Sequence, residues 1–235
     1  LYGVWFKAAN KSTVWYNAGL FADAGVEPPE TWEDFLAAAR TLADFGVTPI
    51  SLGGADGWTL TDWFENVYLR TAGPDMYDQL TNHEIPWTDP SVTEALGVLA
   101  EVFGDETLIG SGDVALQNGF LESVTRGFSD DPEAAIVYEG DFVAGVVSAE
   151  TNAVPGEDAL FFPFPAIGDS VPSVVGGGDV AVLLDDTDGG RALVQYLASP
   201  EAAEIWAGLG GFASPNSGVD PAVYPDDISR AAAEE

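Results

Sequence analysis

The sequence of 235 residues contains no cysteine, one histidine (His83), one methionine (Met76) and only seven lysine and arginine residues. Without cysteine there is no thiolate metal site and no cysteine nucleophile, and a single histidine is too few for a multi-histidine zinc site. The 39 aspartate and glutamate residues bring the formal net charge to -32. Nucleic acids and anionic membrane surfaces are therefore disfavoured as partners, since both bind clustered basic residues.

Long apolar runs are also missing from the sequence, so it contains no candidate for a membrane-spanning helix. Apolar residues nevertheless make up 46% of the chain, which favours a folded protein with an acidic surface over a disordered one. The chain starts at Leu1 inside what resembles a strand, without a signal-peptide pattern, and its last residues resemble the start of a helix. We expect it to be an internal fragment of a longer protein.

Capping patterns predict several helices. Thr31, Asp89 and Ser199 each precede apolar residues at helical spacing, and the last two are followed by proline. The segment from Thr59 to Asp62 repeats the capping spacing. In the helix after Ser199, the periodicity predicts a buried stripe that is formed by Ala203, Ile205, Trp206 and Leu209.

Short apolar segments between these helices predict strands at Gly3–Phe6, Pro49–Leu52, Ala134–Tyr138, Leu160–Phe164 and Asp179–Leu184. The continuous apolar run from Val180 to Leu184 is typical of a strand that is buried on both faces. Helices that alternate with short strands indicate a helix-rich α/β protein. A domain boundary is expected near Pro165–Ser173, where glycine and proline are frequent.

Two sequence clusters that could suggest a nucleotide or calcium site do not satisfy the motifs. The glycines Gly176–Gly178 precede a strand, whereas a dinucleotide-binding loop follows one, so we expect a chain bend where the backbone approaches a neighbouring strand or a ligand. The acidic segment Asp185–Gly190 lacks the ligand spacing of a calcium loop and predicts a turn that opens a helix. His83 lies in a polar segment and is expected on the surface.

Aromatic residues give a more specific indication. Trp58 follows a glycine-rich loop, and Phe142 follows a predicted strand-to-helix turn at Glu139–Asp141. Aromatic faces pack against the C–H groups of sugar rings, and carboxylates accept hydrogen bonds from sugar hydroxyls, so this combination favours carbohydrate binding. The other tryptophans in periodic segments are expected in the core: Trp5, Trp15, Trp32, Trp63 and Trp206.

The order of several segments resembles that of extracellular solute-binding proteins of carbohydrate ABC transporters, and within them the α-glucoside-binding group. The matching segments extend over nearly the whole chain and are Tyr2–Val4, Thr13–Asn17, Leu20–Gly25, Pro29–Phe35, Gly57–Trp58, Asp62–Trp63, Val137–Phe142, Gly177–Asp179, Tyr196–Glu201 and Gly211–Asn216.

This resemblance implies a two-lobed α/β fold of the class II periplasmic-binding-protein type that closes around a sugar by hinge motion. It implies that residues 1–11 form the first crossing between lobes, residues 12–165 the second lobe, and residues 166–235 the return crossing with part of the first lobe. One lobe is then largely complete and the other truncated, so the fragment contains only part of the sugar cleft. The resemblance also implies an extracellular or periplasmic location, a lipid anchor in the full-length protein and a partnership with the transmembrane subunits of an ABC permease.

Ligand-binding residues are implied by the same resemblance, and no cofactor or metal is. Asn10 is expected to bind a sugar hydroxyl after the hinge strand, Trp58 to stack on the sugar, and Phe212 to line the rim. The remaining implied positions are Glu139, Gly140 and Phe142 at one turn, and Gly178 and Asp179 at the crossing.

The leading hypothesis is a non-enzymatic receptor for an α-glucoside or a similar oligosaccharide. The alternative is a glycoside hydrolase, which would need two carboxylates across a cleft, such as Glu139 and Asp179. Sequence spacing alone does not decide whether any carboxylate pair faces a sugar.

Overall fold

The computed structural model describes residues 3–211 and 213–234 of the chain. The strands in this part of the chain are Gly3–Asn10 (β1), Thr13–Asn17 (β2), Thr48–Ile50 (β3), Ala134–Glu139 (β4), Ala159–Pro163 (β5) and Gly176–Val182 (β6). The helices are Ala18–Ala24 (α1), Trp32–Phe45 (α2), Trp58–Ala72 (α3), Pro74–Thr81 (α4), Pro90–Phe103 (α5), Glu106–Ile109 (α6), Gly112–Ala115 (α7), Phe120–Phe128 (α8), Val143–Glu150 (α9), Asp188–Leu197 (α10), Pro200–Ala207 (α11) and Asp227–Glu234 (α12).

A four-stranded mixed sheet organises the middle of the chain, in the order β3-β4-β2-β5. Strand β2 is antiparallel to both of its neighbours, and β3 is parallel to β4. The sequence analysis missed β2, because its five residues join directly onto α1 without a turn signal. The other predicted strands are confirmed with shifts at their ends, of which the extension of β1 to Asn10 is the largest.

Both faces of this sheet are covered by helices, so its strands are buried. Val14 and Tyr16 of β2 point into a core with α2, α3 and α5, whereas Trp15 between them points to the opposite side with α8 and α9. This alternation is the two-residue period of a strand. Trp63 of α3 lies at the centre of the larger core, 4.6 Å from the ring of Tyr138 and fully buried.

A separate two-stranded antiparallel sheet pairs β1 with β6. The expectation that Val180–Leu184 forms a strand buried on both faces is wrong: Val182 is 58% exposed and Leu184 is 94% exposed. Within the described residues, no helix layer covers this part of the sheet as layers cover the four-stranded one. The apolar run therefore lies in a strand whose outer face is open.

The same open region explains further differences from the sequence analysis. Trp5 and Trp206 are exposed rather than in the core, and Trp206 stacks on Phe6 at 5.5 Å. Ala203 of α11 is buried as expected, but Ile205 of the same helix and Leu209 just after it face outward with Trp206. The expectation of core positions is confirmed for the tryptophans of the middle segment, which are Trp15, Trp32 and Trp63.

Helix starts agree with the predicted caps at three positions. The side chains of Thr31, Asp89 and Ser199 accept hydrogen bonds from backbone N–H groups of the first turns of α2, α5 and α11. Thr59 is not a cap, because α3 has already begun at Trp58. Its buried hydroxyl instead donates to the carbonyl of Gly53 at 2.6 Å and closes the preceding glycine-rich loop.

Two segments connect the two sheets, and they lie side by side. The first is the short link from β1 to β2, and the second is the segment Phe164–Val175 between β5 and β6. The N–H of Lys11 donates to the carbonyl of Val175 at 2.8 Å, and the N–H of Phe164 donates to the carbonyl of Ser12 at 2.7 Å. These hydrogen bonds tie the two crossings to each other. His83 is exposed, as predicted, and is the one described non-glycine residue with positive φ.

Candidate functional site

The glycine-rich loop before α3 places Trp58 at the surface. A 3₁₀ turn at Gly54–Asp56 and a positive φ of 74° at Gly57 lead into the helix, so Trp58 is its first residue and is 37% exposed. The carboxylate of Asp56 accepts a hydrogen bond from the N–H of Phe120, the first residue of α8. This contact brings the start of α8 beside the start of α3.

Three aromatic rings meet at this point, and we call Trp58, Phe120 and Phe142 the aromatic triad. The ring centroids are 5.2 Å apart for Trp58 and Phe120, 5.5 Å for Phe120 and Phe142, and 6.0 Å for Trp58 and Phe142. The rings are tilted or edge-on to one another, which is a favourable arrangement for aromatic contacts. Phe142 is placed there by the turn from β4 into α9, as the sequence analysis expected.

The only two lysines of the sequence, Lys7 and Lys11, lie next to the triad. The ammonium of Lys7 is 5.4 Å from the ring centroid of Phe142, and that of Lys11 is 5.5 Å from the ring of Trp58. Both distances are within the range of cation–π attraction. Each lysine also forms an ion pair, Lys7 with Asp179 at 3.5 Å and Lys11 with Asp62 at 2.9 Å.

These residues surround a cavity of about 330 Å³, which opens between the two sheets. Its lining consists of Lys7, Ala9, Lys11, Trp58, Phe120, Phe142, Gly178 and Asp179. Of the residues that the sequence analysis proposed, the structure brings Trp58, Phe142, Gly178 and Asp179 together here. The lining combines aromatic faces with charged hydrogen-bonding groups. This is the combination expected from the sequence for carbohydrate binding.

Gly178 allows the two strands of the smaller sheet to approach closely. A Cβ at this position would overlap the carbonyl oxygen of Lys7 and would lie 3.2 Å from the ring of Trp5. The glycine run therefore lies inside strand β6 instead of forming a chain bend, and the expected close approach is to the neighbouring strand β1.

Glu139 lies beneath the cavity and does not line it. It is 1% exposed, and its Oε2 has no hydrogen-bond partner within the described part of the chain. Burial raises the pKa of Glu139 well above its ordinary value, and the nearby charge of Asp62 raises it further. Its carboxyl is accordingly neutral at a pH where exposed glutamates are charged, and it is poorly placed to accept a hydrogen bond from a ligand.

Two other predicted residues, Gly140 and Asn10, do not line the cavity. The carbonyl of Gly140 accepts a hydrogen bond from the Trp15 indole at 3.1 Å. The side chain of Asn10 accepts one from the N–H of Ser12 at 2.9 Å, and its carbonyl accepts one from the N–H of Asp141. Both residues therefore shape the turn behind Phe142. Phe212 lies outside the described residues.

Asp141 is buried at the turn between β4 and α9. Burial raises its pKa from 3.8 to about 6, although hydrogen bonds from backbone N–H groups and the charge of Lys7 act in the opposite direction. This carboxyl supports the turn and does not line the cavity.

One face of α3 runs from the cavity to the two crossings. Trp58, Asp62, Asn66 and Arg70 are spaced four residues apart, so they lie along a single side of the helix. Trp58 belongs to the aromatic triad, and Asp62 holds the ammonium of Lys11. The amide of Asn66 donates to the carbonyl of Lys11 at 2.7 Å, and its oxygen accepts from the hydroxyl of Ser12 at 2.7 Å.

Arg70 completes this face at the second crossing. Its guanidinium donates to the carbonyls of Phe164 at 3.2 Å and Ser173 at 2.8 Å, and to the side-chain oxygen of Asn66 at 3.0 Å. It also lies 4.8 Å from the ring of Phe164. Both crossings are thus attached to the helix that begins with Trp58, and we call these contacts the α3 spine.

The sequence analysis missed Lys7, Lys11, Asp62 and Phe120. The sequence contains a signal that could have indicated the two lysines as site residues. The chain has only seven basic residues, and both of its lysines lie four positions apart at the end of the first strand. Asp62 was expected only as part of a capping pattern and of one segment of the family resemblance, without a role at the site. Nothing local marks Phe120, because its position depends on the hydrogen bond that its N–H donates to Asp56, in a loop 64 residues earlier.

Two larger cavities have a different chemistry. One of about 700 Å³ lies against the second crossing and is lined mainly by apolar side chains such as Pro29, Phe162 and Val171. Another of about 510 Å³ lies between β1 and α11 in the open part of the fold. The smaller cavity with the aromatic triad is the better candidate, since its wall combines three aromatic rings with the ion pair Lys7–Asp179 and the ammonium of Lys11.

A metal centre or a membrane segment finds no support in the described part of the chain. The His, Asp and Glu side chains described form no group of three or more that could hold a metal ion. The helices described are all too short or too polar to cross a bilayer.

Comparison with known proteins gives a consistent result. The sequence profile of the family described as "Bacterial extracellular solute-binding protein" matches residues 2–204. The chain is 39% identical, over 241 aligned positions, to the osmoprotective compounds-binding protein GgtB of Synechocystis sp.. It is 33% identical over 232 positions to the alpha-glucosides-binding periplasmic protein AglE of Rhizobium meliloti. The alignments cover 100% and 95% of this chain but only 56% and 50% of those relatives.

Solved structures share the same fold. The bacterial solute receptor AcbH superimposes with a TM-score of 0.82 at 25% identity, covering 99% of this chain and 58% of AcbH. A chitin oligosaccharide binding protein also reaches a TM-score of 0.82, at 22% identity. This superposition covers 100% of the present chain and 59% of the chitin oligosaccharide binding protein. The chain thus spans little more than half the length of these proteins.

Proposed function

The chain belongs to the family of bacterial extracellular solute-binding proteins, and on this premise we propose that it forms part of the carbohydrate receptor of an ABC importer. Its fold is the two-lobed, helix-rich α/β fold of periplasmic sugar-binding proteins. The family is extracellular, so the chain is an extracellular or periplasmic protein. The observation that supports a carbohydrate ligand is the cavity that joins the aromatic triad to the pairs Lys7–Asp179 and Lys11–Asp62.

The ligand in this proposal is an α-glucoside or a similar oligosaccharide, bound by hinge closure. The relative AglE is named for binding alpha-glucosides, which supports this class. Trp58 and Phe142 offer faces for the C–H surfaces of a sugar ring, and Asp179 with Lys7 offers an acceptor and a donor for hydroxyls. The backbone of Gly178 lies in the same wall, so its peptide groups are within reach of the ligand.

The domain arrangement is part of the proposal. Residues 1–11 form the first crossing, residues 12–165 one lobe, and residues 166–235 the return crossing with part of the other lobe. The open outer face of β6 and the exposed side chains of Ile205 and Leu209 support this, since a complete lobe would cover such apolar surface. The full-length protein would be lipid-anchored and would deliver its sugar to the transmembrane subunits of a permease.

The family is one of receptors, and the glycoside hydrolase alternative receives no support. A hydrolase needs two carboxylates that face the substrate. Glu139 is buried beneath the cavity, whereas Asp179 is in its wall and paired with Lys7. The arrangement therefore offers one accessible carboxylate of the two that were considered.

Titration calorimetry on the full-length protein with maltose, trehalose and sucrose tests the proposal. We expect heat of binding with at least one sugar, and we expect Trp58→Ala to weaken it about 30-fold, as the loss of an aromatic contact worth about 2 kcal/mol would do. Trp87→Ala is the matched control, because Trp87 is exposed and does not line the cavity. The absence of heat with every sugar, or equal affinities of the wild type and Trp58→Ala, would contradict the proposal.

A further inference from the structure

The surroundings of this cavity favour the binding of cationic solutes, which would compete with a neutral ligand. The chain carries a net charge of -32, so positively charged solutes are attracted to its surface in general. Three aromatic rings beside carboxylates are also the arrangement that binds quaternary ammonium groups. A cavity with the aromatic triad and Asp179 in its wall would be expected to take up such cations readily.

The chain's own ammonium groups already occupy the two positions where such a cation would bind. Lys11 lies over the ring of Trp58 and Lys7 over the ring of Phe142, at 5.5 Å and 5.4 Å. Each side chain is about three quarters buried, which holds the ammonium close to its ring. A second cation over either ring would lie within a few ångströms of a positive charge, and like charges repel at that separation.

Ion pairing holds the two lysines in these positions. Lys11 is bound to Asp62, whose side chain is only 4% exposed, and Lys7 is bound to Asp179, whose side chain is 58% exposed. The lysines and these two partners have a combined charge of zero. If the lysines were neutral, Asp179 in the wall and the buried Asp62 would be two uncompensated negative charges near the three aromatic rings.

A neutral sugar is not affected in the same way. Its C–H surface carries no charge and is not repelled by an ammonium beside the ring, and its hydroxyls can accept hydrogen bonds from an ammonium and donate them to a carboxylate. The lysines are therefore partners for a neutral polyhydroxy ligand and repel a cationic one.

We propose that Lys7 and Lys11 are specificity-determining residues that exclude cationic solutes from the aromatic triad and so reserve the cavity for neutral sugars. This inference rests on the proposed function, because it assigns a selectivity to the same cavity. It adds that the selectivity is lost when the ammonium groups are removed, even though the aromatic faces remain.

The test measures binding of tetramethylammonium chloride to the full-length protein by calorimetry, at constant ionic strength. For the wild type we expect no saturable binding. For Lys7→Met we expect binding to appear, with an affinity at least about tenfold above the detection limit set by the wild type, as expected when one cation–π position is vacated and one negative charge is exposed. Lys7→Met/Lys11→Met should bind more tightly still.

Arg40→Met is the matched control, because it removes one positive charge from an exposed position outside the cavity. It should behave as the wild type. Lys11→Met leaves the buried Asp62 without its partner and can unfold the protein. Lys7→Met leaves only Asp179 without a partner, and Asp179 is accessible to water. Lys7→Met alone therefore decides the outcome. Thermal melting, monitored by circular dichroism, confirms that each variant is folded.

Two results would overturn the inference: saturable tetramethylammonium binding by the wild type, or a folded Lys7→Met that does not bind it. The same samples are titrated with maltose, trehalose and sucrose. Failure of every sugar in the wild type contradicts the proposed function. Sugar binding by the wild type without a gain of cation binding in Lys7→Met contradicts only the lysine inference.

Discussion

Arg70 holds the second crossing to α3, and its replacement by methionine should destabilise the chain by about 3 kcal/mol. The guanidinium donates to the carbonyls of Phe164 and Ser173, and an unsatisfied carbonyl costs about 1–3 kcal/mol. The oxygen of Asn66 retains the hydroxyl of Ser12 as a donor, so it adds little to the loss.

An opposing effect limits the loss of stability in Arg70→Met. Burial lowers the pKa of Arg70 to about 10, because the charged guanidinium is costly to desolvate where it lies. Methionine avoids this cost and keeps an apolar contact with the ring of Phe164. The net loss is therefore expected below the sum of the broken hydrogen bonds, whose upper limit is about 6 kcal/mol for the two carbonyls.

Denaturant unfolding of the 235-residue chain measures this difference, with Arg191→Met as the matched control. Arg191 pairs with Asp186 on the surface, and its side chain is 56% exposed, so its loss should cost less than about 1 kcal/mol. Hydrogen exchange should also accelerate in Phe164–Val175 of Arg70→Met. If the two variants differ by less than about 1 kcal/mol, or if exchange in this segment is unchanged, the α3 spine does not hold the crossing.

Two further predictions concern the smaller sheet and the turn after β4. In thermal melting, Gly178→Ala should destabilise the chain by about 1–3 kcal/mol, since its Cβ overlaps the carbonyl of Lys7. Gly176→Ala has no atom within 4 Å of its Cβ and should be close to neutral in the same measurement. Asp141 has its folded pKa raised from 3.8 to about 6, so its stabilising contribution is complete below pH 3.8 and is lost as the pH rises through 6. The free energy of unfolding of Asp141→Asn should therefore rise by up to about 3 kcal/mol relative to that of the wild type between pH 4 and pH 7. A difference between the two proteins that stays constant over this pH range would contradict the assignment.

Much of the fold could be predicted from local sequence signals. Caps at Thr31, Asp89 and Ser199 are determined by hydrogen bonds within one helical turn, so the residues that form them are adjacent in the sequence. The errors concern burial. The apolar run at Val180–Leu184 has the composition of a buried strand, but burial depends on which elements cover it, and the run itself contains no such information.

The site shows the same limit. Trp58 and Phe142 could be predicted because glycine-rich turns precede them and favour exposure. Glu139 looks in the sequence like an accessible carboxylate of the same turn, yet it is the last residue of β4, a strand buried along its whole length. Lys11 and Asp62 are 51 residues apart, so their pairing depends on the packing of α3 against the end of β1.

The paired crossings have a mechanical consequence. A single connecting strand can bend, twist and shift sideways, whereas the link around Lys11 and the segment Phe164–Val175 are tied by hydrogen bonds on both sides of Ser12. Two tied segments are stiff against torsion and lateral shear, so bending across their common width is the softest remaining motion. We expect the relative movement of the two sheets to have essentially one rotational degree of freedom, with the cavity wall that carries Lys7 and Asp179 swinging toward Trp58 along a nearly constant path.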